Sequence, residues 1–170
     1  MNDAPFRLRR ATDRDADEIA EVYCASFRLL SFLPMLHTFD SYRWYVANRM
    51  LKEWAVTVAE DDSGIVSFLG LRGEEVRHFY TRPARIGCGA GTQLMQMAQA
   101  SGVAALELWC FQANARARHF YEARGFRATR MTDGANNEER TPDVRYRWDR
   151  VANRIEAGTT SQTGSGFHHD

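Results

Sequence analysis

The sequence predicts an α/β (α+β) domain, a mixed sheet of about seven strands flanked by about four helices, from three observations. Apolar residues recur at the spacing of strands and helices in the order β-α-α-β-β-β-α-β-α-β-β. D-D-S-G at 61–64 joins two apolar runs as a hairpin turn. Residues 114–126, N-A-R-A-R-H-F-Y-E-A-R-G-F, compress a helix cap, an inward aromatic pair and a glycine stop into one short unit.

In order, Phe6 to Ala11 reads as a strand, and Thr12 caps a helix whose first turn, D-R-D-A-D-E, is acidic. That helix runs to about Phe27 with Ile19, Val22, Tyr23 and Ser26 inward. An irregular, oily stretch around Pro34 follows. Thr38 then caps a second helix to about Leu51, with Tyr42, Tyr45, Val46 and Met50 on one side. Strands are expected at Trp54–Glu60, Ile65–Leu71 and Glu75–Thr81. Pro83 and a glycine-rich loop lead into a helix over about Ala90 to Ser101. A strand at Ala104–Cys110 precedes the helix capped by Asn114, which turns Ala117, Phe120, Tyr121 and Arg124 to one side and stops at Gly125. Strands near Phe126–Met131 and Asp143–Asp149 close the domain at about residue 150, and residues 151–170 read as a flexible polar tail.

A chain of 170 residues is long enough for one domain with its own core. The 22 basic residues cancel the 22 acidic ones, which argues against a nucleic-acid footprint. No apolar run approaches the roughly 20 residues of a membrane helix, and the N-terminus lacks a signal-peptide core, so a cytoplasmic protein with no membrane contact is expected. Cys24, Cys88 and Cys110 lack zinc or disulfide spacing, so the expectation is free thiols and no metal.

The loop T-R-P-A-R-I-G-C-G-A-G-T at 81–92 places glycines at 87, 89 and 91 before a helix N-terminus, an arrangement that lets backbone amides approach phosphate oxygens. It is not a P-loop, since no Gly-Lys-Ser/Thr follows. Nor is it a dinucleotide fingerprint, which needs glycine where Thr92 stands.

The 114–126 segment resembles the second conserved motif of the GNAT N-acetyltransferases, N-x-x-A-x-x-F-Y-x-x-x-G-F, at every specified position. Gly89 and Gly91 fit that family's acetyl-CoA loop, Q/R-x-x-G-x-G/A, although its first position falls on Ile86, with Arg85 one place early. The resemblance implies the GNAT fold, with a mostly antiparallel sheet, and an enzyme that passes acetyl from acetyl-CoA directly to a primary amine of a small molecule or protein. It implies a cofactor site made by Phe79, Tyr80, Thr81, Arg85, Gly87, Cys88, Gly89, Ala90, Gly91, Thr92, Asn114 and Tyr121, with a backbone amide near Phe79–Thr81 stabilising the oxyanion. Tyr121 is implied as general acid to the departing thiolate, a task within reach of a phenol of pKa about 10 facing a thiol of about 8.5.

Two residues compete as base. Glu75 stands where the histone-acetylating branch carries its catalytic glutamate, and His78 titrates near neutrality without a large shift. A regular strand would put them on opposite faces, and a bulge would bring either into the cleft. Residues 28–45, rich in aromatic and leucine side chains, and the D-G-A-N-N-E-E-R-T-P loop with Asp133, Glu138 and Glu139 are expected to meet the acceptor; the first is equally a patch for a homodimer. The alternative of another class is a non-catalytic acyl-CoA-binding or regulatory module.

Overall fold

The computed structural model describes residues 6–152, so most of the expected tail, from residue 153, lies outside the described residues. Seven strands, β1 Arg7–Arg10, β2 Ala55–Asp61, β3 Gly64–Arg72, β4 Glu75–Thr81, β5 Ala105–Phe111, β6 Arg127–Met131 and β7 Asp143–Asp149, form one sheet in the order β1-β2-β3-β4-β5-β7-β6. Every pairing is antiparallel except β4 with β5.

Both faces are covered. Helix α1 (Ala16–Arg28) and α2 (Phe39–Tyr45) lie on one face, over a core that includes Ile19, Val22, Tyr42, Val58, Ile65 and Phe68. Helix α4 (Ala90–Ala100) and α5 (Ala115–Glu122) lie on the other, over Val66, Leu69, Leu94, Leu106, Tyr121 and Tyr146. The central strand β3 is buried on both sides, which is why it reads as a continuous apolar run rather than an alternation.

Two helical starts differ from the sequence reading. Thr12 does cap, but through a box: its N–H donates to Asp15 Oδ2 at 2.7 Å, and Asp13–Asp15 forms a 3-10 turn before α1 begins. The second helix is not uniform. After α2 the chain widens into a π-helical segment, Val46–Met50, and ends in the short α3, Leu51–Glu53. Val46 and Met50, four residues apart within the π-helical segment, are both fully buried on the core side. Among the described residues, no helix is long and apolar enough to cross a membrane.

Candidate active site

The site begins where β4 and β5 separate. They share one register pair, Glu75 with Glu107, and beyond it the two parallel strands diverge, opening the sheet between their C-terminal ends. β4 is itself irregular. Gly70 pairs with His78 and Leu71 with Val76, so Arg77 is an extra residue with no partner in the β3 register. The bulge changes the alternation: Val76 and Phe79 face the α4 core, whereas His78 and Tyr80 face the α1 side. Glu75 and His78, opposite in a regular strand, thereby line the same cleft.

Two clefts meet at this opening. The first, about 830 Å³, runs along the α4–α5 side. Of the residues expected for the cofactor, Phe79, Tyr80, Thr81, Arg85, Gly87, Gly89, Ala90, Gly91, Thr92, Asn114 and Tyr121 line it together. Cys88 does not. It packs against the edge of the α4 core, because the turn that gives Gly87 and Gly89 their left-handed φ values of 88° and 97° rolls its side chain away from the cleft.

Gly89 caps α4, and a Cβ there would meet open space, so backbone conformation and not crowding demands glycine. Arg85 borders the cleft but its charge is spent elsewhere. It donates to Asp61 Oδ2 at 2.5 Å and to Ser63 Oγ at 3.2 Å on the β2–β3 turn. Asn114 Oδ1 accepts from the Ala117 amide at 3.2 Å, which leaves its amide nitrogen for a ligand.

Tyr121 is clamped inward. On β7 the Tyr146 hydroxyl accepts from Arg118 at 3.1 Å and donates to Glu122 at 2.5 Å, holding one face of α5 against the strand. Around Tyr121 stand the rings of Phe79, Phe120, Phe126 and Tyr146, at 5.6–6.3 Å. Its hydroxyl has no hydrogen-bond partner among the described residues, and burial pushes its pKa well up, so the phenol keeps its proton across the working range.

The second cleft, about 1140 Å³, lies on the α1–α2 side and shares Val76, Arg77, Tyr80, Trp109, Cys110 and Phe111 with the first. The two segments expected to meet an acceptor both border it, and they touch: His37 Nε2 lies 2.9 Å from Glu138 Oε1. The β6–β7 loop is pinned rather than loose. Asn137 donates to Thr141 O at 2.7 Å and accepts from the Thr141 amide at 3.1 Å, and this holds Glu138 and Glu139 at the cleft. Glu75 sits at the rim, 3.7 Å from both Arg72 and Arg77.

His78 is 3% exposed, edge-on to Tyr23, Tyr45 and Trp54. Its Nε2 lies 3.2 Å from Tyr45 Oη, and its Nδ1 is buried without a partner. Burial, with a smaller contribution from Arg77, lowers its pKa to about 3. The titration near pH 7 expected from its ordinary pKa is therefore lost, and protonating this ring is costly.

Sequence reasoning missed the β5 wall of Trp109, Cys110 and Phe111, and Arg124 as a cleft residue. The first was accessible from topology, because ligands gather where a parallel pair of strands ends. Among the described residues no cluster of His, Cys, Asp or Glu could hold a metal ion, and all three cysteines are free.

A splayed parallel pair, a glycine turn at a helix start and a tyrosine beneath the opening thus come together at one cleft. Comparison with known proteins places this arrangement. Residues 52–128 match the family model of the acetyltransferase (GNAT) domain. By sequence, no curated protein matches the chain. Apo YjaB from Escherichia coli is similar in structure, with a TM-score of 0.71 and 22% identity over 85% of this chain and 98% of that one. A GCN5-related N-acetyltransferase from Rhodopseudomonas palustris has a TM-score of 0.70 and 20% identity, covering 88% and 98%. yncA from Salmonella typhimurium, solved with its cofactor acetyl-CoA, has 0.65 and 18%, covering 86% and 95%. Residues 52–128 thus match the GNAT acetyltransferase domain, and the described chain has the fold of these structures.

Proposed function

We propose that this protein is an N-acetyltransferase that moves acetyl from acetyl-CoA, bound in the first cleft, directly to a primary amine presented in the second. The observation that carries the reading is the opposite charge of the two clefts. The first is lined by Arg77, Arg116 and Arg124 and by no carboxylate, while Arg85 at its border is neutralised by Asp61. The second is lined by Asp40, Glu75, Glu138, Glu139 and Asp143, with Arg77 and Arg130. An anionic cofactor and a cationic acceptor would each find a complementary wall, and they would meet at Tyr80 and Trp109.

In the reaction the amine nitrogen attacks the thioester carbonyl, the carbon becomes tetrahedral, and the C–S bond breaks. Backbone N–H groups along Phe79–Thr81 stabilise the oxyanion. Tyr121 gives its proton to the leaving thiolate, and the proton that the attacking nitrogen sheds as the tetrahedral carbon collapses to the amide returns through water to restore the phenol. The ammonium proton leaves first, to Glu75 directly or through water, since His78 is held neutral by its burial. The acceptor is an amine of a small molecule or a protein, with the aromatic wall of Tyr42, Trp44 and Tyr45 beside the carboxylates suited to its cation.

Calorimetric titration with acetyl-CoA and desulfo-CoA, followed by thiol release over a panel of amines, tests this. Thiol release that depends on an amine supports the transferase. Tight binding with no release from any acceptor would make the chain an acyl-CoA-binding module, the reading that the diversion of Arg85 to Asp61 favours.

A further inference from the structure

We infer that Arg124 is the cation that receives the diphosphate of the cofactor, in place of the side chain that Ile86 cannot supply. This rests on acetyl-CoA occupying the first cleft. Ile86 contributes a half-exposed aliphatic side chain at the mouth of the loop, and Arg85 beside it is already neutralised by Asp61. Of the cleft's other arginines, Arg77 is partnered by Glu75 on β4, and Arg116 is exposed at the opposite end of α5 from the loop. Arg124 is different from all three.

It lies just beyond the C-terminal end of α5 and is partly buried. Its guanidinium lies 3.5 Å from the centroid of the Phe120 ring, donates to Phe120 O at 2.9 Å and donates to Thr92 Oγ1 at 2.7 Å. Thr92 belongs to the first turn of α4, whose amides have no partner within the helix and open toward the glycine turn. No carboxylate lies within ion-pair distance of Arg124 among the described residues, and burial lowers its pKa with no acidic group opposing the shift.

A guanidinium taken from water without a counter-ion carries an unmet desolvation cost. Here two neutral oxygens and an aromatic face aim it, and none of them balances its charge. A diphosphate seated on the α4 amides would lie beside it, and the planar fork of Arg matches phosphate oxygens in pairs. The α5 end therefore completes a phosphate site that the loop sequence leaves incomplete.

The test compares CoA with 3′-dephospho-CoA by calorimetry on wild type, Arg124→Gln, Arg124→Lys and Arg85→Gln. The expected result for Arg124→Gln is a loss of about 10- to 100-fold in affinity, equal for the two ligands, as for removal of a charge-assisted hydrogen bond. Arg124→Lys recovers part of it, and Arg85→Gln changes affinity less than about threefold. Thr92→Val, which removes one of the bonds that aim the guanidinium, gives a smaller loss in the same direction should Arg124→Gln fold poorly. Wild-type affinity in both the Arg124 and Thr92 variants overturns the inference. So does a loss that vanishes with 3′-dephospho-CoA, which would assign Arg124 to the 3′-phosphate. Failure of the wild type itself to bind CoA would instead refute occupancy of the cleft.

Discussion

Gly70 on β3 faces His78 on β4, and a Cβ on residue 70 would stand 3.1 Å from His78 Cδ2 and 3.2 Å from His78 Cβ. The missing side chain makes room for the imidazole beneath Tyr23, Tyr45 and Trp54, at the point where β4 bulges. Gly70→Ala is expected to cost about 1–3 kcal/mol, the usual cost of overpacking. In a His78→Ala background the same change should cost less, because the ring contact at Cδ2 is gone and only the contact with Cβ remains. Urea denaturation of the four proteins of this cycle measures the coupling, and additive effects would mean that the ring does not respond to Gly70.

His78 also sets an acid limit. Its folded pKa of about 3 lies below its ordinary 6.5, so between those values the unfolded chain binds a proton that the folded one refuses. Its contribution is complete above about pH 6.5 and is lost as pH falls toward 3, at up to about 1.4 kcal/mol per pH unit. Asp15, lowered to about 2 chiefly by Arg9, and Asp61, lowered to about 2 chiefly by Ser63, add their losses only below pH 3.8. Glu60 and Glu107, held below 4.5 chiefly by Arg9 and Arg147, begin to lose theirs as pH nears 4.5, so the interval from pH 6.5 to 5 belongs mainly to the histidine. His78→Phe should flatten the urea midpoint against pH there, whereas a curve parallel to wild type would locate the titration elsewhere.

Asn137 makes a separable prediction about the acceptor side. Its amide holds Thr141 through two hydrogen bonds and reaches Asp143 Oδ2 at 3.1 Å, which shapes the loop bearing Glu138 and Glu139. Asn137→Ala should raise KM for a cationic acceptor by about tenfold, the effect of losing about 1.4 kcal/mol. Affinity for acetyl-CoA should stay within about twofold, since no residue of this loop lines the first cleft. An unchanged acceptor KM would show that the loop plays no part in acceptor binding.

Much of this architecture was legible in the sequence because local chemistry agrees with the fold. β4 falls at Glu75–Thr81 as alternation and Pro83 suggest, and Asn114 and Gly125 bound α5 for reasons of capping alone. The bulge at Arg77 was not legible. It arises from how β4 is held between Gly70 and Leu71 of another strand, a register that no local pattern encodes. The π-helical segment escaped for a similar reason, since Val46 and Met50 satisfy α-helical spacing nearly as well. Arg85 could be placed beside the loop from its position in sequence, but its pairing with Asp61, far away in sequence, could not. Arg124 was visible only as an inward position on a helix, and nothing local says that its neighbour would be Thr92.

Gly89 links the loop's conformation to binding. At φ 97° a β-branched residue is strained by about 1–2 kcal/mol, so Gly89→Val should lower the melting temperature of the apo protein and also abolish its rise on adding acetyl-CoA. Gly89→Asn separates the two effects, because Asn tolerates left-handed backbone. It should fold nearly as well as wild type and still bind poorly, with a side chain in the space the diphosphate needs. Thermal melts with and without acetyl-CoA read both quantities. A normal ligand-induced rise in Gly89→Asn would move the cofactor away from this turn.

Tyr121 separates chemistry from binding. Its ring is held on four sides while its hydroxyl has no partner among the described residues, so Tyr121→Phe should keep the packing and remove only the proton donor. The departing thiolate develops charge in the transition state, and loss of a general acid at that stage is worth about 10²- to 10⁴-fold in kcat. Acetyl-CoA affinity should move only a few-fold, since the ground-state thioester carries no charge for the phenol to meet. If the hydroxyl merely orients the thioester, KM should rise and kcat fall modestly. Measurement of both constants from pH 6 to 10 distinguishes the two, because only the acid role leaves a kcat deficit that persists across the whole interval in which the phenol stays protonated. A kcat near wild type throughout would make Tyr121 a packing residue and require the thiolate to take its proton from solvent.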